Sequence, residues 1–321
     1  MRATELDYDL PTELVAQRPV EPRDAARMLV YDRATQAVRH RTVRELPDEL
    51  DGHLVVVNDT RVVPARLPLR RATGGEVELL LLERRADGVW EALARPSRRL
   101  RAGERLAPAD AAAEGGRIEL VERLGEGRWL VRPEGEPHGE VPLPPYIHES
   151  LDDPERYQTV YADVAGSAAA PTAGLHFSRG LLDRLDHVAV TLHVGLDTFR
   201  PLTSETLEEH ALHGERYRVA PEAWARIEAA ERVLAVGTTT TRVLETLARG
   251  APLEGRTELF VTPGFTFRRV DALLTNFHLP RTTLLALVMA FAGVEETRRL
   301  YALAVDERYR FYSFGDAMLV L

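Results

Sequence analysis

Apolar positions along this chain follow two different rhythms. Four continuous runs each stop abruptly at a polar cluster. "HLVVV" runs into Asn58, Asp59, Thr60 and Arg61, and "HVAVTLHVG" into Leu196, Asp197, Thr198 and Phe199. "RVLAVG" runs into four threonines, Thr238 to Thr241, and Arg242, while "DALLTNF" meets His278. Unbroken apolar runs suit parallel strands covered on both faces. "TTTTRVLETLARG" adds a hydroxyl cap, helical spacing and a closing glycine, predicting strand, turn and helix in succession.

Between about Val62 and Gly139 the pattern changes. "GGEVELLLLERRADGVWEALARP" and "GGRIELVERLGEGRWLVRPEG" are short runs parted by Gly-Gly, Asp-Gly and Gly-Glu-Gly, the mark of antiparallel hairpins. Several such strands predict a small barrel, since closure removes exposed edges. The exit, "HGEVPLPPYIHESLDDPERY", is rich in proline and reads as a linker. The expected architecture is an α/β domain with a mostly parallel sheet, residues 1–61 plus 155–321, interrupted by an inserted antiparallel β-barrel domain at residues 62–154.

The stretch "LLTNFHLPRTTLLALVMAFAG" sharpens the picture. One of the chain's two asparagines, Asn276, sits there between Thr275 and Phe277, just ahead of His278 and an apolar helix. In open α/β sheets ligands bind beyond the carboxyl ends of the strands. Asn276 and His278 are therefore expected to line that crevice, with the helix from about Arg281 packed on the sheet. The apolar run Leu284–Gly293 has about half the length a membrane span needs, so no membrane association is expected. "MRATELDYDLPTEL" is too polar for a secretory signal, which points to the cytoplasm.

Composition removes whole chemistries. The chain has no cysteine, which excludes thiolate nucleophiles and Cys-ligated metals, and no lysine, which excludes Schiff bases and a P-loop. A net charge of −9 argues against nucleic acid, yet Arg61 to Arg105 holds eleven Arg against six acidic residues, a local excess of about +5. Such a patch is either a solvated β-surface or a phosphate-binding one.

Each motif admits two readings. The glycine and hydroxyls of "VGTTTTR", at Gly237, Thr238, Thr239 and Thr240, form an anion site at a helix N-terminus with Arg242 beside it, or a plain threonine cap. His176 in "AGLHF" and His193 in "TLHVG" are structural or reactive imidazoles. His210 and His213 have an i, i+3 spacing that can present two metal ligands, but no third follows at a familiar spacing, and no metal is expected. "NDTR" places Asp59 and Arg61 to hold a zwitterion, or makes an Asx turn. "YRFYSFGDAMLVL" sets aromatics before Asp316 and an apolar strand, for core packing or for stacking on a ligand.

Taken together, "DYDLPTELVAQRPVEPRDAARMLV", "NDTRVVPARL", "PLPPYI", "RYQTVYA", "AAPTAGLHF", "HVGLDTFRPL", "GTTTTRVLE", "LLTNFHLPRTTLL" and "YRFYSFGDAML" resemble the S-adenosylmethionine:tRNA ribosyltransferase-isomerases of queuosine biosynthesis, end to end and in family order. Two departures stand out: Asp197 where that pattern has glycine, and Gly214 where serine is common. The resemblance implies an α/β domain interrupted by a barrel. It also implies transfer and isomerisation of the ribosyl part of S-adenosylmethionine onto 7-aminomethyl-7-deazaguanine at the tRNA wobble position. Epoxyqueuosine tRNA is the product, and adenine and methionine leave. S-adenosylmethionine is then a consumed cosubstrate, no separate cofactor is needed, and a monomer is expected.

On that basis His176 or His193 is the expected base, and Asn276 and His278 the groups that hold adenine or ribose. Thr238 to Thr240 would take the amino-acid carboxylate, with Gly237 and Arg242 alongside. Asn58, Asp59, Thr60 and Arg61 would meet the amino-acid end, and Asp316 completes the expected binding set. Two rival readings are an S-adenosylmethionine-dependent RNA methyltransferase and a non-catalytic RNA-binding protein. The first would release S-adenosylhomocysteine, and "VVVNDTR" lacks the glycine-rich loop usual after its first strand. The second would leave the strand-end clusters without a purpose.

Overall fold

A computed structural model describes residues 1–85, 87–110, 116–195, 202, 204–210 and 214–321. They form two compact units: Met1–Arg61 with Pro144–Val164 and Ala170–Leu321, and Val62–Leu143 with Ala165–Ala169. The chain thus returns to the first unit at Pro144, earlier than the expected residue 155. The proline-rich segment is docked there rather than free. Gln17 Nε2 donates to the Tyr146 carbonyl at 3.0 Å, and the His148 N–H donates to Gln17 Oε1 at 2.8 Å. The Tyr146 and Ser313 hydroxyls share a bond of 2.6 Å.

Among the described residues the strands begin with β1 (Arg27–Tyr31), β2 (Val38–Thr42), β3 (His53–Asn58) and β4 (Thr60–Val62). Next come β5 (Arg66–Arg70), β6 (Glu76–Arg84), β7 (Trp90–Arg95), β8 (Arg105–Pro108), β9 (Ile118–Gly125), β10 (Arg128–Pro133) and β11 (Val164–Ser167). The last are β12 (His187–Leu192), β13 (Glu215–Arg218), β14 (Arg232–Val236), β15 (Glu254–Thr257), β16 (Ala272–Asn276) and β17 (Ala317–Val320). The helices are α1 (Leu46–Glu49), α2 (Arg179–Leu182), α3 (Pro221–Ala229), α4 (Thr238–Leu247), α5 (Thr283–Ala292) and α6 (Val294–Asp306).

The first unit holds a nine-stranded sheet in the order β15-β13-β12-β3-β14-β16-β17-β1-β2. The four runs read from the sequence are its centre: β12, β3, β14 and β16 lie side by side and parallel. Outside them the sheet is mixed. β17 runs antiparallel to β16, and β13, β15 and β2 pair antiparallel at the flanks. The reversal at β17 has a plain cause: two helices, α5 and α6, rather than one, separate it from β16, so the chain re-enters from the opposite end.

Alternate residues of the central strands, Val55 and Val57, Leu234 and Val236, Ala272 and Leu274, form one core with Phe177, Leu181 and Leu182. Their neighbours facing the other way, Leu54, Val56, Val233, Ala235 and Leu273, are also buried, as two-sided cover requires. α5 carries the apolar run as a buried helix, capped by the Thr282 hydroxyl on the Leu285 N–H. Among the described residues no helix is long and apolar enough to cross a membrane.

The second unit is a closed antiparallel barrel in the order β10-β7-β6-β5-β8-β9. Its interior is aliphatic apart from one large ring. Leu67 and Leu69, Val77, Leu79 and Leu81, and Ala92 and Ala94 alternate inward, with the buried Trp129 among them.

Candidate functional site

The carboxyl ends of β3, β14 and β16 bring their polar clusters together inside the first unit, with Thr191 and His193 at the end of β12; the cluster Leu196 to Phe199 lies outside the described residues. At the end of β3, Asn58 is fully buried and extends the ladder with its side chain. Its Nδ2 donates to the Leu192 carbonyl at 2.9 Å, and its Oδ1 accepts from the Leu192 N–H at 3.0 Å. Nδ2 also lies 3.5 Å from Thr239 Oγ1, linking β3 to α4. Beside it, the Thr191 hydroxyl donates to Asp59 Oδ1 at 2.6 Å, and Thr60 Oγ1 bonds His193 Nδ1 at 2.8 Å. Burial pushes the Asp59 carboxyl above its usual range, with the Thr191 bond opposing. Arg61 pairs with Glu155 at 2.5 Å in a largely exposed ion pair.

β14 turns into α4 through Gly237, whose φ of +90° favours glycine. A Cβ there would sit 3.5 Å from the Ala173 side chain, so the turn packs on the 172–176 segment. The threonines do not cap the helix as expected. Gly237 is the N-cap, without a side-chain bond, and the threonines are the first four helical residues. Thr240 and Thr241 return their hydroxyls to the Val236 and Gly237 carbonyls at 2.7 and 3.1 Å. Helix N-termini leave backbone N–H groups without intrahelical acceptors, and here no cap side chain covers them.

At the end of β16, Asn276 is the hub. Its Nδ2 donates to the Tyr312 carbonyl and to His176 Nε2, both at 3.1 Å, and its Oδ1 accepts from the Thr172 hydroxyl at 3.0 Å. A carbonyl only accepts, so Tyr312 fixes which way the amide faces. His176 Nε2 must then be the acceptor, and its proton sits on Nδ1. Burial, helped by Arg310 and Arg23, lowers the His176 pKa to about 4, so the ring is neutral near pH 7. His278 shares a 2.7 Å bond with Thr275 and is held to about 3 by burial.

Three expected ligand groups prove to be tied to protein partners. Arg242 forms a buried ion pair with Glu215, and donates to the Leu259 and Thr257 carbonyls at 2.9 and 3.2 Å. Asp316 accepts from the Arg27 N–H at 3.0 Å and the Arg310 N–H at 2.8 Å, closing the aromatic loop before β17. Most of that loop's rings pack inward, where Phe311 meets Phe277 with centroids 5.0 Å apart. Arg61 is the third, engaged with Glu155. Glu215, Thr172 and Thr191 were not singled out in the sequence, because isolated Glu and Thr residues carry no local signal.

His210 stacks edge-on against Phe260, while Asp197 and His213 lie outside the described residues. Among the described residues no group of three or more His, Asp or Glu is placed to hold a metal ion.

A chain of contacts therefore runs from His193 and Thr60 through Asn58, Thr239, Gly237 and the 172–176 turn to Asn276 and His176. This defines an α/β protein with a buried polar cluster beyond its parallel strand ends, carried on the same chain as an all-antiparallel barrel. The chain belongs to the queuosine biosynthesis protein family, whose profile matches residues 3–320. It is 56% identical to the S-adenosylmethionine:tRNA ribosyltransferase-isomerase of Rubrobacter xylanophilus, covering 100% of this chain and 98% of that one. The enzyme of the same name from Symbiobacterium thermophilum is 50% identical over 100% of both. Among solved structures, the S-adenosylmethionine tRNA ribosyltransferase of Thermotoga maritima matches with a TM-score of 0.57 and 38% identity, over 99% of this chain and 100% of that one.

Proposed function

We propose that the chain moves and rearranges the ribosyl group of S-adenosylmethionine onto 7-aminomethyl-7-deazaguanine at the tRNA wobble position, giving epoxyqueuosine tRNA, adenine and methionine. The observation that carries this reading is the convergence of four strand ends on one polar cluster, in a chain of this family. A tRNA substrate supports a cytoplasmic location.

The sulfonium acidifies the adjacent 5′ carbon, so a weak base starts the reaction by taking that proton. Of the two expected imidazoles, His193 suits this better. The His176 Nε2 lone pair is committed to the Asn276 N–H, and its pKa of about 4 makes it a poor acceptor. His176 instead offers a neutral N–H donor, fit for a purine nitrogen or a ribose oxygen. Thr60 orients His193 through Nδ1. The uncapped N-terminus of α4 suits the carboxylate of the methionine end, and Asp59 suits its ammonium.

The barrel supplies the complementary surface for RNA. Arg66, Arg70, Arg71, Arg105, Arg128 and Arg132 each pair with a glutamate. Arg95 at the end of β7 and Arg98, Arg99 and Arg101 in the turn that follows are exposed as well. That turn is held in place, since Arg71 donates to the Arg99 carbonyl at 3.0 Å and the Leu100 N–H to the Ser97 carbonyl at 3.3 Å. Exposed guanidinium groups on an anchored turn fit a phosphate backbone.

The test is direct: incubate the protein with S-adenosylmethionine and precursor tRNA. Free adenine and methionine are expected. Release of S-adenosylhomocysteine, or no turnover at all, would remove this reading.

A further inference from the structure

The boundary between β12 and β13 contains an irregularity that the reaction does not itself explain. These strands pair antiparallel, with Thr191 opposite Arg218 and Leu192 opposite Tyr217. The ladder continues one step past β12, where the His193 N–H donates to the Arg216 carbonyl at 2.9 Å. In an antiparallel ladder the next such bond would run from the Gly195 N–H to the Gly214 carbonyl.

It does not form. The Gly195 N–H donates instead to the Glu215 side chain, Oε1, at 2.9 Å, and the Gly214 carbonyl accepts from Arg256 Nη2 at 2.6 Å. A carboxylate thus replaces a backbone acceptor at the place where the chain leaves the sheet, two residues beyond His193. That carboxylate is buried, and the buried Arg242 guanidinium compensates its charge. Arg242 is itself fixed by two carbonyls, so the acceptor cannot drift.

We propose that Glu215, held by Arg242, is a positioning residue: it turns the chain out of the sheet after His193 and so sets that imidazole at the strand end. The proposal rests on the reading of His193 as a site residue. It also gives Arg242 a purpose that does not involve the ligand. A misplacement of about 1 Å in a reacting group costs roughly a hundredfold in rate, which is the scale to expect when this acceptor is lost.

Three variants separate positioning from mere stability. In Glu215→Met/Arg242→Met both charges are gone, and replacing a buried ion pair by apolar groups is often neutral for stability. Its melting temperature is expected to stay near the wild-type value, while kcat for adenine release falls about a hundredfold and KM for S-adenosylmethionine changes little. Glu215→Met alone should lose activity to the same extent. Glu215→Gln keeps an oxygen for the Gly195 N–H and should retain kcat within about threefold of wild type.

Wild-type kcat in the double variant would overturn the proposal. So would equal losses in Glu215→Gln and Glu215→Met, or kcat falling only in proportion to the folded fraction across all three. Wild-type protein that releases no adenine would instead overturn the functional reading itself, so the two failures are distinguishable.

Discussion

The two units treat polar side chains in opposite ways. In the barrel they stay outside: the interior is aliphatic around Trp129, and Arg–Glu pairs lie across the strands in partial contact with water. In the α/β unit they are drawn in. Asn58, Asn276, His176, Arg242, Glu245 and Asp316 are all buried, and each is satisfied by bonds to distant parts of the chain. Glu245 alone accepts from the N–H groups of Arg268, Arg269 and Val270. Burying such groups is costly unless every bond is made. The barrel's stability therefore rests on shape and apolar area, and that of the α/β unit also on a network that holds chemical groups at fixed angles.

That contrast is broken most severely by stranding a charge. Arg242→Ala removes the guanidinium that compensates the buried Glu215 charge, and the unfolding free energy should fall by about 3–5 kcal/mol in a denaturant titration. A loss under about 1 kcal/mol would mean that water replaces the guanidinium and the network is not closed.

Acid should reveal the same unit. In the unfolded chain a histidine titrates near 6.5, whereas folded His176 and His278 are held to about 4 and about 3. Above pH about 6.5 neither state binds these protons. Below it the unfolded chain does and the folded one does not, so stability is lost as pH falls towards 4. Between pH 6.5 and 5 the loss is roughly 1.6 kcal/mol per ring. His278→Gln should remove about half of the combined drop, and a wild-type stability that is flat over this range would refute the buried neutral rings.

Asn276→Ala removes three bonds and leaves the Tyr312 carbonyl and His176 Nε2 without their donor. A loss of about 1–3 kcal/mol is expected, together with a fall in adenine release of roughly ten- to a hundredfold at temperatures where the variant is fully folded. Intact activity in the folded variant would return Asn276 to a purely structural role. The smallest stability effect belongs to the barrel turn. Arg98→Ala/Arg99→Ala should melt within about 0.5 kcal/mol of wild type. In that variant the slope of log affinity for tRNA against log salt should become shallower by about 0.7–0.9 per lost phosphate contact. An unchanged slope would take the turn out of the RNA interface.

Much of this organisation can be read from the linear chain, for physical reasons. The β-branched runs at 53–57 and 232–236 are too apolar and too short for anything but strands buried on both faces. Gly-Gly and Asp-Gly mark hairpins because their backbones tolerate the turn. The mixed outer sheet is less legible, since the direction of β17 depends on how two helices fold back. The site divides in the same way. Strand-end position makes Asn276 visible and the motif "AGLHF" draws attention to His176, but what they bond to is not legible. Arg242 reads as a ligand group until Glu215, 27 residues earlier, is brought beside it. Asp316 reads likewise until it meets the Arg27 N–H, 289 residues away. Side-chain partners that distant leave no local pattern.

The central proposal is a division of labour, in which strand ends of the α/β unit would act on the cosubstrate and the barrel turn would grip RNA. Steady-state adenine release by Asn276→Ala and by Arg98→Ala/Arg99→Ala, with tRNA varied at saturating S-adenosylmethionine, tests it most directly. The account predicts a lowered kcat with little change in KM for tRNA in the first, and a raised KM for tRNA with kcat preserved in the second. The reverse assignment, or two variants that cannot be told apart, would contradict it.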